Sequence, residues 1–178
     1  MDAITCIESR RSIRNFKSDL IDHSIIEQIV KTASLSPSWK NTQIARYTAL
    51  EGALKDKVAE CTSKYPHNGD IIKSAPMLIV VSFIKERAGF ERDGSFSTNK
   101  GTGWQMFDAG IASSTFCLAA HEKGLGTVIM GIFDDEDVAK VIDLPENQEV
   151  ACLIPIGYPN ESPVAPKRKE VTDLLIFK

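Results

Sequence analysis

The chain has 178 residues, 43% hydrophobic and 25% charged, with a formal net charge of −3. These values fit one globular domain with a sizeable core, and the slight acidic excess argues against a general nucleic-acid binder, which carries a basic excess, although local basic clusters stand at 10–14 and 167–169. No apolar run approaches the ~20 residues that span a bilayer, and Met1-Asp2-Ala3-Ile4 does not begin a charged-then-apolar leader, so no membrane partner is expected.

The four cysteines, Cys6, Cys61, Cys117 and Cys152, lie far apart and form no CxxC. That pattern suggests neither a zinc site nor a redox dithiol, and fits reduced, buried thiols in a cytoplasmic protein. His121-Glu122 lacks the second histidine of a metal-binding helix.

In chain order, residues 2–8 predict a short helix with Ile4 and Ile7 on one face. Ser9-Arg10-Arg11-Ser12-Ile13-Arg14-Asn15-Phe16 follows, with three arginines inside five residues. In an extended stretch Arg10, Ser12 and Arg14 share one side. Guanidinium forks suit phosphate and other anions; a solvated basic turn is the other reading. Ile25, Ile26, Ile29, Val30 and Ala33 form a helical stripe, capped by Asp22 or by a Ser24–Glu27 capping box and ended by Pro37. Pro37-Ser38-Trp39-Lys40-Asn41-Thr42-Gln43 is a polar turn with one large aromatic. Residues 44–50 alternate as a strand, residues 53–64 read as a helix with Leu54, Val58 and Cys61 aligned, and residues 67–70 read as a turn or helix end.

Residues 77–84 are a continuous apolar run, the pattern of a strand buried on both faces. Residues 85–103 are polar and glycine-containing, long enough to be either a substrate lid or a disordered stretch. Residues 104–123 give the longest helical pattern, rich in small residues (Ala109, Gly110, Ala112, Ser113, Ser114) that let a sheet or second subunit approach, with Gly124 as C-cap. A short strand at 127–130, a helix from Asp134 to about residue 142 with acids at its positive end, and a strand at 150–157 follow. The tail carries Pro159, Pro163 and Pro166, then Lys167-Arg168-Lys169, then Leu174-Leu175-Ile176-Phe177, which need apolar cover. No repeat or linker divides the chain, so a single domain, 1–178, is expected.

There is no GxGxxG, no GxxxxGK[ST] phosphate loop, no GxSxG elbow and no carboxylate couple, so no catalytic side chain stands out. Anion-binding groups without a nucleophile or base suit an enzyme whose chemistry is carried by a bound organic cofactor.

Taken in order, these pieces resemble the FMN-dependent nitroreductase-like flavoproteins. Arg10-Arg11-Ser12-Ile13-Arg14-Asn15-Phe16 resembles the family's RRSxRxF opening, and Pro37-Ser38-Trp39-Lys40-Asn41-Thr42-Gln43 its PSxxNxQ loop. Asp108-Ala109-Gly110 falls in its central helix, Gly124-Leu125-Gly126 and Ile129-Met130-Gly131-Ile132-Phe133-Asp134 resemble its strand beneath the flavin, Ile156-Gly157-Tyr158-Pro159 its GYP ending, and Lys167-Arg168-Lys169 its basic tail. The resemblance implies an α+β, three-layer fold with a central mixed sheet flanked by helices, in an intertwined homodimer whose tail, 159–178, packs on the partner subunit. It implies bound FMN, NAD(P)H as co-substrate, and a nitro compound, quinone or similar small acceptor; a non-catalytic flavin carrier is the alternative. It implies that Arg10, Arg11 and Ser12, with Lys167, Arg168 or Lys169, hold the FMN phosphate and ribityl region, and that Arg14 tunes the reduced flavin. Asn68 is implied at the pyrimidine edge, Ile129, Met130 and Gly131 at the ring, and Pro37, Ser38, Trp39 and Asn41 as contributions of the partner subunit. Two departures stand out: Ile71 where some members carry a lysine, and Gly131 where some carry an acid.

Overall fold

The computed structural model describes residues 1–178. The apolar run becomes strand β2, Met77–Ile84, buried along all but its last residue. It pairs antiparallel with β1, Ala45–Leu50, on one side and with β4, Gln148–Gly157, on the other. A two-residue strand β3, Gly126–Thr127, pairs antiparallel with β4 and gives the order β1-β2-β4-β3. The parallel component of the expected mixed sheet is one bridge, Ser12 to Thr127, where the basic loop joins the β3 edge.

Strand alternation sorts the core into two layers. Leu78, Val80 and Leu153 face a cluster that includes Val58, Ala59, Ile71, Ile72 and Val138. Met77, Ile79, Val81, Ile154 and Ile156 face a second one with Ile26, Ile29, Ala33, Phe116 and Ala120. Helices α3, Gly52–Glu60, α4, Pro66–Ser74, and α6, Asp135–Val141, therefore cover one face of the sheet. Helices α2, His23–Ala33, and α5, Gly103–Glu122, cover the other. Cover on both faces explains why β2 reads as an unbroken apolar run although its neighbours are antiparallel.

Local chemistry sets the helix ends. Asp2 caps α1, Ala3–Ser9, by accepting the Thr5 N–H at 3.1 Å. Asp22, rather than Ser24, caps α2, accepting the Ser24 N–H at 2.8 Å. Asp134 caps α6 through the Asp137 N–H at 3.2 Å. Helix α5 stops at Gly124, whose φ of +79° no β-carbon-bearing residue adopts cheaply; the Leu125 N–H returns to the Ala120 carbonyl at 2.9 Å.

The largest departure from the sequence reading is α4, which begins at Pro66 and runs through the expected turn. Pro66 suits the first helical position, but Asn68 and Gly69 are poor helix formers. Tertiary contacts hold this helix. Ile71 and Ile72 are buried, and the buried Lys55 ammonium donates to the carbonyls of Ile72 (3.0 Å), Lys73 (2.9 Å) and Ala75 (2.8 Å) at the helix end. The strand expected at 127–130 shortens because its chain leaves the edge after Thr127 and touches β4 again only at Met130–Leu153. Residues 85–103 are tied down rather than bare: Phe90 and Phe96 pair with ring centroids 4.9 Å apart, and the Trp104 indole N–H donates to Thr98 Oγ1 at 2.8 Å. The tail forms one turn, α7, Val171–Leu174, and leaves Leu174, Ile176 and Phe177 exposed.

Replacing Lys55 by methionine keeps the aliphatic length but strands three carbonyls at the end of α4. A loss of about 3 kcal/mol is expected, the scale of losing charge-assisted bonds to buried acceptors. Urea unfolding of K55M measures it, and amide exchange is expected to rise first in α4.

Candidate functional site

The basic loop is seated by two apolar anchors. Ile13 and Phe16, each 6% exposed, enter the core beneath α3, α4 and α6. The Ile13 N–H donates to the Thr127 carbonyl at 3.0 Å and the Lys17 N–H to the Tyr158 carbonyl at 2.9 Å. Two glycines make room. A β-carbon on Gly126 would stand 2.6 Å from Ile13 Cγ1, and one on Gly157 would stand 2.6 Å from Pro76 Cδ and 3.0 Å from Phe16 Cδ1. With Ile13 turned inward, Ser12 and Arg14 lie on the outward phase of the loop.

Arg10, Arg11 and Arg14 form no ion pair in the chain. Arg11 Nη1 donates to the carbonyls of Glu8 (2.6 Å) and Arg10 (2.7 Å), which fixes its fork against the loop. Next to them, Ser9 Oγ lies 2.8 Å from His121 Nε2. Burial, then the charges of Arg10 and Arg11, hold the His121 imidazole below its usual pKa. The loop thus carries three guanidinium groups that form no ion pair within the chain.

From Thr127 the chain runs past Ile129 and Gly131 to Ile132, whose carbonyl accepts the Asn68 Nδ2–H at 3.2 Å. Ile129 and Ile132 are about half exposed, and the position of a β-carbon on Gly131 is open space. Val128 and Met130 alternate inward, at 6% and 4% exposure. Met130 is the correction here. Its side chain is in the core, and its N–H and carbonyl are both spent on Leu153, at 2.8 and 3.1 Å. The outer face is therefore Ile129, Gly131 and Ile132, with the nearly buried Asn68 amide at its end. Ile71 also faces the core, so a charged side chain has no place there in this packing.

The loop 37–43 is strained. Lys40, Asn41 and Gln43 have φ of +44°, +56° and +47°, a left-handed region that costs non-glycine residues energy. Its surroundings hold it there. The Trp39 N–H donates to both carboxylate oxygens of Asp108, at 3.1 and 2.9 Å, and Ser38 Oγ accepts the Gln43 N–H at 3.0 Å. The Trp39 and Trp104 rings pack with centroids 4.5 Å apart, and Lys40 Nζ pairs with Glu91 Oε1 at 2.9 Å. Burial raises the Asp108 pKa against the opposing pull of the Trp39 N–H. Beneath the loop lies a cavity of about 340 Å³ lined in part by Val30, Ala33, Pro37, Ile44, Tyr47 and Ala112. Burial pushes the Tyr47 hydroxyl up to about 12, and that hydroxyl has no partner in the chain.

Arg10, Arg11, Ser12 and Arg14 thus lie together at the β3 edge, and the 127–132 segment links them to Asn68. Pro37, Ser38, Trp39 and Asn41 do not join them. Their loop is tied to Asp108, whereas the arginine loop touches His121, thirteen residues further along α5, or about 20 Å at 1.5 Å per residue. Lys167, Arg168 and Lys169 are exposed on a tail whose residues 162–169 make no hydrogen bond or ion pair within the chain. Asp108 is the supporting residue that sequence reasoning missed. Its signal was a lone acid among the small and apolar residues of the longest helical pattern.

The three-layer architecture matches a structure of a nitroreductase family protein from Streptococcus pneumoniae, with TM-score 0.89, 19% identity and coverage of 99% of this chain and 100% of that one. It also matches an FMN-dependent nitroreductase from Clostridium difficile, with TM-score 0.74, 28% identity and coverage of 96% and 93%. A Methanothermobacter thermautotrophicus protein with the provisional name NADH dehydrogenase/NAD(P)H nitroreductase is 28% identical over 167 residues, 92% of this chain and 80% of its own length. The sequence profile of the Nitroreductase family matches residues 7–64 and 61–158. The chain belongs to the Nitroreductase family.

The Asp108 contact makes a signed prediction. Because burial raises its folded pKa, the stabilising contribution is full below the unfolded carboxylate value and is lost as pH rises through the folded one. Asn stays neutral and keeps a carbonyl for the Trp39 N–H. The stability of D108N relative to the parent is expected to rise between about pH 3 and pH 7. D108A, which leaves the loop unsupported, is expected to lose about 2 kcal/mol at pH 7. Urea titrations at both pH values measure the two variants.

Proposed function

We propose that the chain binds FMN and works as a flavin oxidoreductase that passes electrons from NAD(P)H to a small acceptor such as a nitro compound or quinone. The observation that carries this reading is the seated loop: three guanidinium groups and the Ser12 hydroxyl in five residues, with no carboxylate pairing with those arginines. Such a donor set fits a phosphate. The half-exposed Ile129 and Ile132, with open space at Gly131 between them, fit a flat apolar ring, and the Asn68 amide fits its polar edge. Family membership supports the same cofactor.

FMN, when bound, would supply the hydride- and electron-transfer chemistry. The chain supplies position and charge. Arg10, Arg11 and Ser12 hold the phosphate end, joined by Lys167, Arg168 or Lys169 from the tail. Arg14 serves the edge where reduction adds negative charge, and a fixed guanidinium there favours the reduced form. Asn68 orients the polar edge, and Ile129 and Gly131 carry the ring. No acid or base in the chain is assigned to the reaction.

Pro37, Ser38, Trp39 and Asn41 are assigned to the flavin of a second copy. The separation of about 20 Å along α5 between the anchor points of the two loops supports this. The tail supports it too. Residues 162–178 extend to at most about 60 Å, and they carry Leu174, Leu175, Ile176 and Phe177 near their end, all half to nearly fully exposed. A homodimer with two equivalent sites follows.

Three experiments test these readings. The purified protein is expected to be yellow and to bleach with NADH or NADPH under anaerobic conditions. Colour without bleaching makes it a carrier, and a colourless protein that takes up no FMN defeats the reading. In R10A, FMN binding is expected to weaken by about 2–3 kcal/mol, or thirty- to a hundred-and-fifty-fold, with an unchanged unfolding midpoint for the apoprotein. Deleting 171–178 is expected to yield monomer or aggregate by sedimentation, with FMN affinity falling although Arg168 remains. A truncated monomer with full FMN affinity defeats the two-chain site.

A further inference from the structure

One carboxylate does reach the arginine loop, and it goes to the backbone. Glu161 Oε1 accepts the N–H groups of both Arg14 and Asn15, the latter at 3.1 Å. It forms no ion pair with Arg10, Arg11 or Arg14. The contact ends a short antiparallel ladder. The Lys17 N–H donates to the Tyr158 carbonyl at 2.9 Å, Phe16 bridges Pro159, and the Asn160 N–H donates to the Asn15 carbonyl at 3.0 Å. One residue further on, the strand-like pairing has no backbone acceptor to offer, and the Glu161 side chain takes its place.

Two consecutive N–H groups converging on one oxygen make a small anion-binding concavity. Here the chain fills it with its own carboxylate. Residues 162–169, directly after Glu161, have no hydrogen bond within the chain, so Glu161 is the last point at which the tail is fastened to the domain before α7.

We infer that Glu161 is a positioning residue for Arg14: by holding the Arg14 and Asn15 amides it fixes the direction in which the Arg14 guanidinium leaves the loop. In its functional consequence this rests on the flavin reading above. The side chain has two effects of opposite sign. Its hydrogen bonds orient Arg14 toward the cofactor. Its negative charge, beside an anion site, opposes cofactor binding. Gln and Ala separate the two. Gln removes the charge and keeps a carbonyl oxygen for both N–H groups; Ala removes charge and acceptor together.

The test compares full-length wild type, E161Q and E161A by residue-resolved amide hydrogen exchange, FMN titration and spectroelectrochemistry. In E161Q, slow exchange at Arg14 and Asn15 is expected to persist, with FMN affinity equal to wild type or tighter. In E161A, exchange at both amides is expected to speed up about tenfold or more, FMN affinity to fall about tenfold, and the flavin midpoint potential to drop. Unchanged exchange at Arg14 and Asn15 in E161A overturns the inference. So does an E161A protein that binds FMN as tightly as E161Q with the same potential, since the side chain then acts through charge alone. A wild type that binds no FMN defeats the flavin reading, and the exchange arm, which needs no cofactor, still decides whether the clamp exists.

Discussion

The candidate site depends on the burial of Ile13 and Phe16. Three guanidinium groups within five residues repel one another, and no acid in the chain forms an ion pair with them. The Glu161 carboxylate holds only the Arg14 and Asn15 amides, so the guanidinium repulsion needs a further offset. Burying two large apolar side chains, at about 1.5–3 kcal/mol each, supplies one. The burial is possible because Gly126 and Gly157 have no β-carbon where Ile13 and Phe16 lie. The arginines are therefore held by the uncharged residues between and beside them, and their charge is left available for an outside anion.

Helix α5 gives the site its second constraint. It anchors the 37–43 loop at Asp108 and the start of the arginine loop at His121, points about 20 Å apart along its axis. Each end carries half of the proposed constellation. At the His121 end the half is electropositive. At the Asp108 end it is a strained turn held by a buried carboxylate, the tilted Trp39–Trp104 ring pair and the Lys40–Glu91 pair. Left-handed conformations at Lys40, Asn41 and Gln43 raise the energy of that turn, and the contacts with Asp108 and Trp104 offset it.

Much of the fold was legible because it is written in short-range patterns. The unbroken run at 77–84 gave β2, the stripe from Ile25 to Ala33 gave α2, and Gly124 marked the end of α5. Helix α4 was hidden because Asn68 and Gly69 argue against a helix that Ile71, Ile72 and the reach of Lys55 across from α3 impose. The arginine loop was legible as local charge and in its alternation, with Arg10, Ser12 and Arg14 on one side, but its anchors were not. That Ile13 and Phe16 anchor it, and that Met130 turns inward while Ile129 and Gly131 turn outward, follows from packing against β4 and β3. Asp108 was visible only as an acid out of place, since its partner, the Trp39 N–H, belongs to a loop sixty-nine residues earlier.

The tail gathers these constraints in one segment. Read from residue 158, it is fastened to the arginine loop through Glu161, carries Lys167, Arg168 and Lys169 with no internal partner, and ends in apolar residues that the chain itself leaves in water. On the proposed reading, docking those last residues on a second copy also fixes the three basic side chains beside an anion. Assembly and anion binding are then linked: whatever affinity the docked tail adds for the phosphate, the phosphate returns to the dimer by the same factor. A chain that kept its basic tail on its own core would bind anions as a monomer. On that reading the chain divides the cage between a loop anchored by Ile13 and Phe16 and a tail whose residues 162–169 make no hydrogen bond within the chain, so the cofactor and the second subunit would each stabilise the state the other needs.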